Sequence, residues 1–378
     1  MAKITRMNGA SPLLINRASA ALVPVTGTFE LTPRCTMRCK MCYIVSDNAG
    51  FDEKKELTAQ QWISLGREAV NQGLLFLQLT GGEAMMRSDF KEIYYEIYKL
   101  GVKISINTNA TTITDDYIEF FKKYPPIRFS VSLYGASNET YERLCRFKNG
   151  YDIVSKNIDR LLEAGFKVKI NITVTKYNSG DVEGICDFAR RRDIPVHFTT
   201  FTFPPEKTSD YTVDDTRLDS FEAARVYIKC SKLTLDDDVY REYINTVSSH
   251  VMPSEVKEEK PFREGDDELL CHAGQGSYWV TWDGRMRPCV CLDNIETFPL
   301  RDGFKNAWDE ITSQTKAKIR FPKKCAVCDL KRKCVACPAH FYEETGKCDE
   351  FSENICRFTQ GLITCARMVK EGKDIDEI

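Results

Sequence analysis

From about residue 28 to residue 202 short apolar runs alternate with longer amphipathic ones, and this alternation limits the fold more than any other feature. The short runs are 28–31, 74–80, 102–107, 127–133, 168–174 and 196–201. They are rich in Val, Ile, Phe and Leu, as buried parallel strands are. Helical stretches lie between them, at 58–71, 89–100, 115–122, 153–164 and 182–191. Thr58-Ala-Gln-Gln61 spells a capping box at the first of these, and Gly101 and Gly165 stand where two others should stop. Strand-then-helix units in succession predict right-handed crossovers and a parallel sheet. Six units fall short of the roughly eight of a closed barrel. The expected fold is therefore α/β, a partial (β/α)6 TIM-like barrel. Its functional residues should lie in the loops that leave the C-terminal ends of the strands.

Sixteen cysteines stand out next. Three sit close together at 35–42, three stand singly at 145, 186 and 230, and ten lie between 271 and 365. Lys3 and Arg6 are early cations, but Asn16 and Arg17 interrupt the apolar stretch behind them, so no secretory signal is read. A cytoplasmic chain keeps its thiols reduced, and many thiols there point to metal ligation. Lys plus Arg is 53 against 55 Asp plus Glu, so no basic field exists to hold nucleic acid. Apolar runs such as 74–79 are far too short to span a membrane.

Cys35, Cys39 and Cys42 form C-x3-C-x2-C directly after the first strand. Three thiolates on one loop can hold three irons of a cubane cluster and leave the fourth iron open. Zinc is the competing reading, but it takes four ligands and none stands nearby. The spacing resembles the signature of the radical S-adenosylmethionine superfamily, and Tyr43 matches the aromatic residue beside its last cysteine. The resemblance implies a catalytic [4Fe–4S] cluster whose open iron chelates the methionine moiety of S-adenosylmethionine. It also implies a 5′-deoxyadenosyl radical that abstracts hydrogen. Thr80-Gly81-Gly82-Glu83, at the exit of the second strand, matches the family's Gly-Gly-Glu motif, which binds the methionine amino group. Glycines there let backbone approach a ligand closely. Asn107, Asn109, Ser130 and Ser132 close the next two strands, where the family contacts ribose and methionine. Arg143 matches a cation that pairs with the methionine carboxylate, for which a bidentate guanidinium is suited.

The C-terminal region reads Cys271-x12-Gly284-x4-Cys289, then Cys325-x2-Cys328-x5-Cys334-x2-Cys337, then Cys356. This resembles the SPASM domain, a C-terminal extension that usually holds two auxiliary [4Fe–4S] clusters. The implied division is an N-terminal segment 1–27, a radical SAM partial barrel 28–203, a helical linker 204–268 and a small cysteine-rich SPASM domain 269–378. By position, Cys325, Cys328, Cys334 and Cys356 take the second auxiliary cluster, and Cys271, Cys289 and Cys337 the first. The last gap is two residues where the family usually has three. The fourth ligand of the first cluster is open between Cys291 and a substrate thiolate or water. Zinc is again the alternative, since paired C-x2-C motifs also build zinc ribbons. Cys348 and Cys365 are expected to be ordinary thiols. Cys145, Cys186 and Cys230 are expected to be buried and inert. Cys291 or one of these three is the candidate for a catalytic hydrogen donor, as in radical epimerases.

The resemblance implies a peptide or protein substrate, entering the open barrel as an extended strand. Ser130-Val-Ser-Leu-Tyr-Gly135 with Tyr141 looks like the matching stretch in maturases of ribosomally made peptides. The leading expectation is hydrogen abstraction followed by thioether or carbon–carbon crosslinking, with an electron donor such as flavodoxin or ferredoxin. Only 34 residues precede Cys35, so no winged-helix leader-binding module is expected, and a separate leader-binding protein is a candidate partner. Alternatives are a peptide epimerase, a sugar or aminocyclitol dehydrogenase, and an anaerobic sulfatase maturase. The last is disfavoured because Val290 stands where an Asp is expected. A zinc-binding interaction protein and a pure electron carrier are the non-catalytic alternatives.

Overall fold

The computed structural model describes residues 12–44, 55–203, 213–255 and 260–378. Strands β1 (Thr26–Glu30), β2 (Phe76–Thr80), β3 (Lys103–Thr108), β4 (Arg128–Ser132), β5 (Val168–Thr173) and β6 (Val196–Thr199) pair in parallel in chain order. Each coincides with an expected run to within two residues. The capping box forms as written: Thr58 Oγ1 accepts from the Gln61 amide at 3.3 Å, and Gln61 Oε1 accepts from the Thr58 amide at 2.8 Å. The helix it opens spans Ala59–Asn71, and Gly73 follows in the left-handed region at φ 108°.

The strands are not apolar on both faces, as a fully buried parallel sheet would be. Phe29, Leu31, Leu77, Leu79, Ile106, Phe129 and Val131 are completely buried, alternating with polar neighbours. Their face packs under the helices against Trp62, Phe90, Tyr94 and Phe121. The opposite, inner face is polar. Register sets Gln78, Ser105 and Arg128 side by side on β2, β3 and β4, and Asn107, Ser130 and Lys169 on β3, β4 and β5. A closed barrel fills its interior with branched apolar side chains. This partial barrel lines its concave side with groups that bind polar molecules.

The sheet also continues beyond β1. A seventh strand, β7 (Ser277–Val280), runs parallel to β1, and β8 (Met286–Arg287) pairs antiparallel with β7. These strands are too short to leave a periodic signal in the sequence. They cover the β1 edge with strands from the cysteine-rich region, so that edge is not left unpaired. Gly27 permits the contact: a Cβ there would stand 2.5 Å from the Tyr278 hydroxyl. Tyr278 in turn packs edge-on against Phe304 and Trp308.

The expected linker is a packing layer in its described part. Helices Ser220–Thr234 and Asp237–Ser248 lie against the C-terminal helix Glu353–Lys370. Ile228, Ile244, Cys365, Ala366 and Ile375 form a small second core there. Pro204 and Pro205 lie outside the described residues.

Phe129 is fully buried, with Phe121 and Phe166 at ring-centroid distances of 5.1 and 5.4 Å. Phe129→Ala is expected to cost about 3–5 kcal/mol. The check is a lower urea midpoint with an unchanged m-value.

Candidate active site

The loop that carries Cys35, Cys39 and Cys42 leaves the C-terminal end of β1 and is held by backbone from two sides. On one side the exit of β2 runs beside it. The Leu31 amide donates to the Thr80 carbonyl at 2.9 Å, the Gly82 amide to Thr32 at 2.8 Å, and the Glu83 amide to Arg34 at 2.8 Å. A Cβ on Gly81 would stand 2.5 Å from the Thr32 carbonyl oxygen, and one on Gly82 2.4 Å from that of Arg34. The glycines are thus needed for approach to the cysteine loop itself, where the sequence reading expected approach to a ligand. On the other side the Arg38 and Lys40 amides each donate at 3.0 Å, to the carbonyls of Cys145 and Leu144.

A buried guanidinium braces this loop. Arg87 is 5% exposed and donates to the Leu31 and Leu57 carbonyls at 2.9 Å each. It also grips Asp89 through two bonds and reaches Glu56 at 3.4 Å. Glu56 pairs with Arg34 at 2.9 Å and accepts from the Thr32 hydroxyl. Nothing in the spacing of Arg34, Glu56 and Arg87 announced this network.

The three thiols are neighbours. Cys35 Sγ accepts from the Met37 amide at 3.4 Å and from Asn109 Nδ2 at 3.3 Å. Burial pushes the Cys35 thiol up to about 12, and Glu83 and Cys39 add to the shift. Cys42 is raised by burial and then by Cys39. Cys39 is raised first by a hydrogen bond with Cys145 and then by burial. Cys145, expected to be an inert core thiol, is therefore fully buried but in direct contact with the loop. Buried thiols that repel one another's charge become thiolates when a metal centre supplies the positive charge. Among the described residues no three such ligands close on a point that one metal ion would fill. A cubane asks for wider spacing, because each thiolate takes a different iron.

Glu83 is completely buried, and its carboxyl is turned into the protein. Oε2 accepts from Thr108 Oγ1 and the Asn109 amide, both at 2.8 Å, and Oε1 from the Met85 amide at 3.4 Å. Burial lifts it to about 7 against the pull of these donors. It ties the exit of β2 to the exit of β3. Thr80 and Ser130 are buried on the inner face, Ser132 is half-buried beyond them, and Asn107 Oδ1 is buried without a hydrogen-bond partner. That orphaned acceptor fits a polar ligand at the C-terminal end of β3. Arg143 is not gathered with these residues. Its side chain is 55% exposed on helix Asn138–Cys145 and pairs with Glu139 at 3.9 Å.

Tyr43 joins the loop to the C-terminal region. Its ring meets Trp279 of β7 edge-on at 6.2 Å, and Trp279 Nε1 donates to Glu30 at 3.0 Å. Tyr43 is exposed, and Glu30, Cys42 and Cys291 are among its electrostatic neighbours. Cys291 lies beside Cys289. Its amide donates to Cys289 Sγ at 3.3 Å, and their thiols share a hydrogen bond that lowers Cys289 and raises Cys291. Cys337 is pushed up to about 12 by burial and then by Cys271, with Cys289 adding to it. Cys271, Cys289, Cys291 and Cys337 thus form one neighbourhood. Cys325, Cys328, Cys334 and Cys356 form another, lining one small apolar pocket. Thr359 Oγ1 lies 2.9 Å from Cys334 Sγ, and Gln360 Nε2 donates to Cys356 Sγ at 3.1 Å. Hydrogen bonds of this kind tune cluster potentials. Cys365 is buried in the second small core, and Cys348, also buried, has Cys289 among its electrostatic neighbours.

The sequence pattern of the Radical SAM superfamily matches residues 29–189. An AdoMet-dependent heme synthase of Methanosarcina barkeri is 25% identical over 332 residues, which cover 84% of this chain and 92% of that one. The sporulation killing factor maturation protein SkfB of Bacillus subtilis is 26% identical over 176 residues, 47% of this chain and 42% of that one. Streptococcus suis SuiB, in a structure bound to its precursor peptide SuiA, has a TM-score of 0.63 at 19% identity. That likeness covers 91% of this chain and 80% of SuiB, and it concerns the fold.

Gly82→Ala forces a methyl group onto the Pro33 and Arg34 carbonyls. The anaerobically purified variant is expected to lose about four irons per chain relative to wild type, the content of one cubane. Iron and sulfide assays check it.

Proposed function

Because the chain belongs to the radical SAM superfamily of enzymes, which use a [4Fe–4S] cluster and S-adenosylmethionine, we propose that it modifies a peptide. The modification begins with removal of hydrogen from a Cα or side-chain carbon and ends in a thioether or carbon–carbon crosslink. When bound, the cluster and S-adenosylmethionine supply one-electron cleavage of the sulfonium to a 5′-deoxyadenosyl radical. Cys35, Cys39 and Cys42 would hold three irons of that cluster, with Asn109 donating to Cys35. Asn107, Ser130 and Ser132 offer polar groups to the nucleoside. Thr80-Gly81-Gly82 and the Glu83 carboxyl keep the loop and the strand ends in register around it.

One observation carries the peptide reading: the cysteine-rich region is hydrogen-bonded to the barrel's own sheet, so Cys291 is an electrostatic neighbour of Tyr43, the residue after Cys42. Crosslinking removes a second electron and a proton from the substrate radical. Two auxiliary clusters of a SPASM domain at 269–378 would supply acceptors for that electron. Cys271, Cys289, Cys291 and Cys337 suit one, and Cys325, Cys328, Cys334 and Cys356 the other. The closeness of Cys291 to Cys289 and Cys337 favours it as the fourth ligand over a hydrogen-donating role. The named relatives SkfB and SuiB, a maturation protein and a protein bound to a precursor peptide, support this substrate class. The reductant is proposed to be a flavodoxin or ferredoxin. Among the described residues no helix is long and apolar enough to cross a membrane.

A tetrapyrrole substrate is the second reading. The observation that favours it is the breadth of the match to the heme synthase, which spans most of both chains.

Anaerobic wild-type protein is expected to hold about twelve irons, and the Cys35/Cys39/Cys42→Ala triple variant about eight. A wild type with only about four irons would remove the auxiliary clusters from the proposal. Coexpression with candidate precursor peptides is expected to yield products lighter by two hydrogen atoms, read by mass spectrometry. Unchanged mass with inverted stereochemistry would replace crosslinking by epimerisation.

A further inference from the structure

Two pairs of cations flank the cysteine group of Cys325, Cys328, Cys334 and Cys356. Lys323 and Lys324 stand immediately before Cys325, and Arg332 and Lys333 immediately before Cys334. With about 3.8 Å between successive Cα atoms, each lies within roughly 8 Å of a cysteine of the group. All four are exposed, and among the described residues none of them forms an ion pair. The Lys324 ammonium sits 4.6 Å from the ring of Phe351, which lines the same small pocket as the four thiols. Three nearby carboxylates are engaged elsewhere: Asp329 with Lys260, Asp267 with Arg320 at 3.9 Å, and Asp266 with the Arg263 amide at 2.8 Å. Lys331 is engaged too, donating to the Asp266 carbonyl.

The other cysteine group of this region has no such surround. Within two residues of Cys271, Cys289, Cys291 and Cys337 the only Lys or Arg is Arg287, which is buried and pairs with Glu296 at 2.7 Å. The chain as a whole has 53 Lys plus Arg against 55 Asp plus Glu, so the concentration of positive charge is local. The thiols it surrounds also reach toward the surface. Cys325, Cys328, Cys334 and Cys356 are all half-buried, whereas Cys145, Cys186, Cys230 and Cys365 are buried.

From these observations we infer that Lys323, Lys324, Arg332 and Lys333 form the docking surface for an acidic one-electron carrier protein. The inference rests on the crosslinking reading, in which the auxiliary groups take up one electron for each bond made. That electron has to leave before the next turnover. An oxidised flavin or iron–sulfur carrier accepts it and departs reduced by one electron, while the proton of the substrate radical goes to solvent. Opposite charge steers such a carrier to this face and holds its redox centre against the half-buried thiols. Exposed cations contribute little to stability, so folding gives no account of four of them around one group. The competing role is to offset the charge of the thiolates, and experiment separates the two.

Association with the anaerobic holoenzyme, followed by surface plasmon resonance, tests the surface without turnover. The probes are oxidised flavodoxin, oxidised plant-type ferredoxin, cytochrome c as a basic carrier, and decaglutamate as an acidic peptide. Lys323→Glu/Lys324→Glu and Arg332→Glu/Lys333→Glu are compared with Lys122→Glu/Lys123→Glu, an equal charge change on helix Asp115–Lys123. Each of the first two is expected to slow association of flavodoxin or ferredoxin about tenfold at low salt. The difference should vanish toward about 1 M salt, where the screening length is about 3 Å. The control pair should change the rate less than about twofold, and cytochrome c should respond in the opposite sense. Iron content is expected to match wild type in every variant. Should a reversed pair lose iron, the corresponding Gln pair is read instead, with slowing of roughly threefold expected. Equal rates for all variants would refute the surface. Binding of decaglutamate with this charge dependence, and of neither carrier, would give the face to an acidic peptide and refute it too. Altered cluster potentials with unaltered association would assign the cations to the cluster's own charge and overturn docking. About four irons in wild type would overturn the auxiliary clusters and this proposal with them, whereas about twelve irons without charge-dependent association would remove the surface alone.

Discussion

The site depends on a backbone-to-backbone clamp. The Gly82 and Glu83 amides donate to Thr32 and Arg34, and the absence of side chains at Gly81 and Gly82 is what lets the strands' exits come that close. A cysteine loop free to move would lose ordering entropy whenever it bound a metal centre. Here Arg87, Glu56 and the end of helix Asn138–Cys145 have already ordered it. The same constraint explains Glu83. Its carboxyl is buried at a cost, and its donors from Thr108 and Asn109 fix Asn109 where it can reach Cys35.

A second constraint is the shared sheet. A partial barrel leaves an unpaired edge, and strand edges are liabilities unless something covers them. Pairing β7 with β1 covers that edge and, in the same act, brings Trp279 to Glu30 and Cys291 close to Tyr43. Stability and the spacing between cysteine groups are thus set by one set of hydrogen bonds. The polar inner face follows from the barrel's openness. With no closing strands, its interior cannot be filled with packed apolar side chains, and groups such as Ser105, Asn107 and Lys169 occupy it.

Much of this was legible in the sequence wherever the physics is local. Strand runs, the Thr58–Gln61 capping box and the C-x3-C-x2-C loop each involve residues within a turn or a strand, so backbone geometry alone relates them. Gly81-Gly82-Glu83 was legible as a motif, although its glycines turned out to serve the cysteine loop. Arg143 was legible only by resemblance, and it stands apart on its helix, paired with Glu139.

What the sequence by itself determined is the alternation that makes six parallel strands and the supply of thiols in three separate groups. Both are properties of neighbouring residues. Only the tertiary structure decided that Cys291 joins Cys271, Cys289 and Cys337, that Cys145 touches Cys39, and that Arg87 braces the loop. These partners are far apart along the chain. Strand register and packing of distant segments bring them together, and neither is encoded in the spacing of any one stretch.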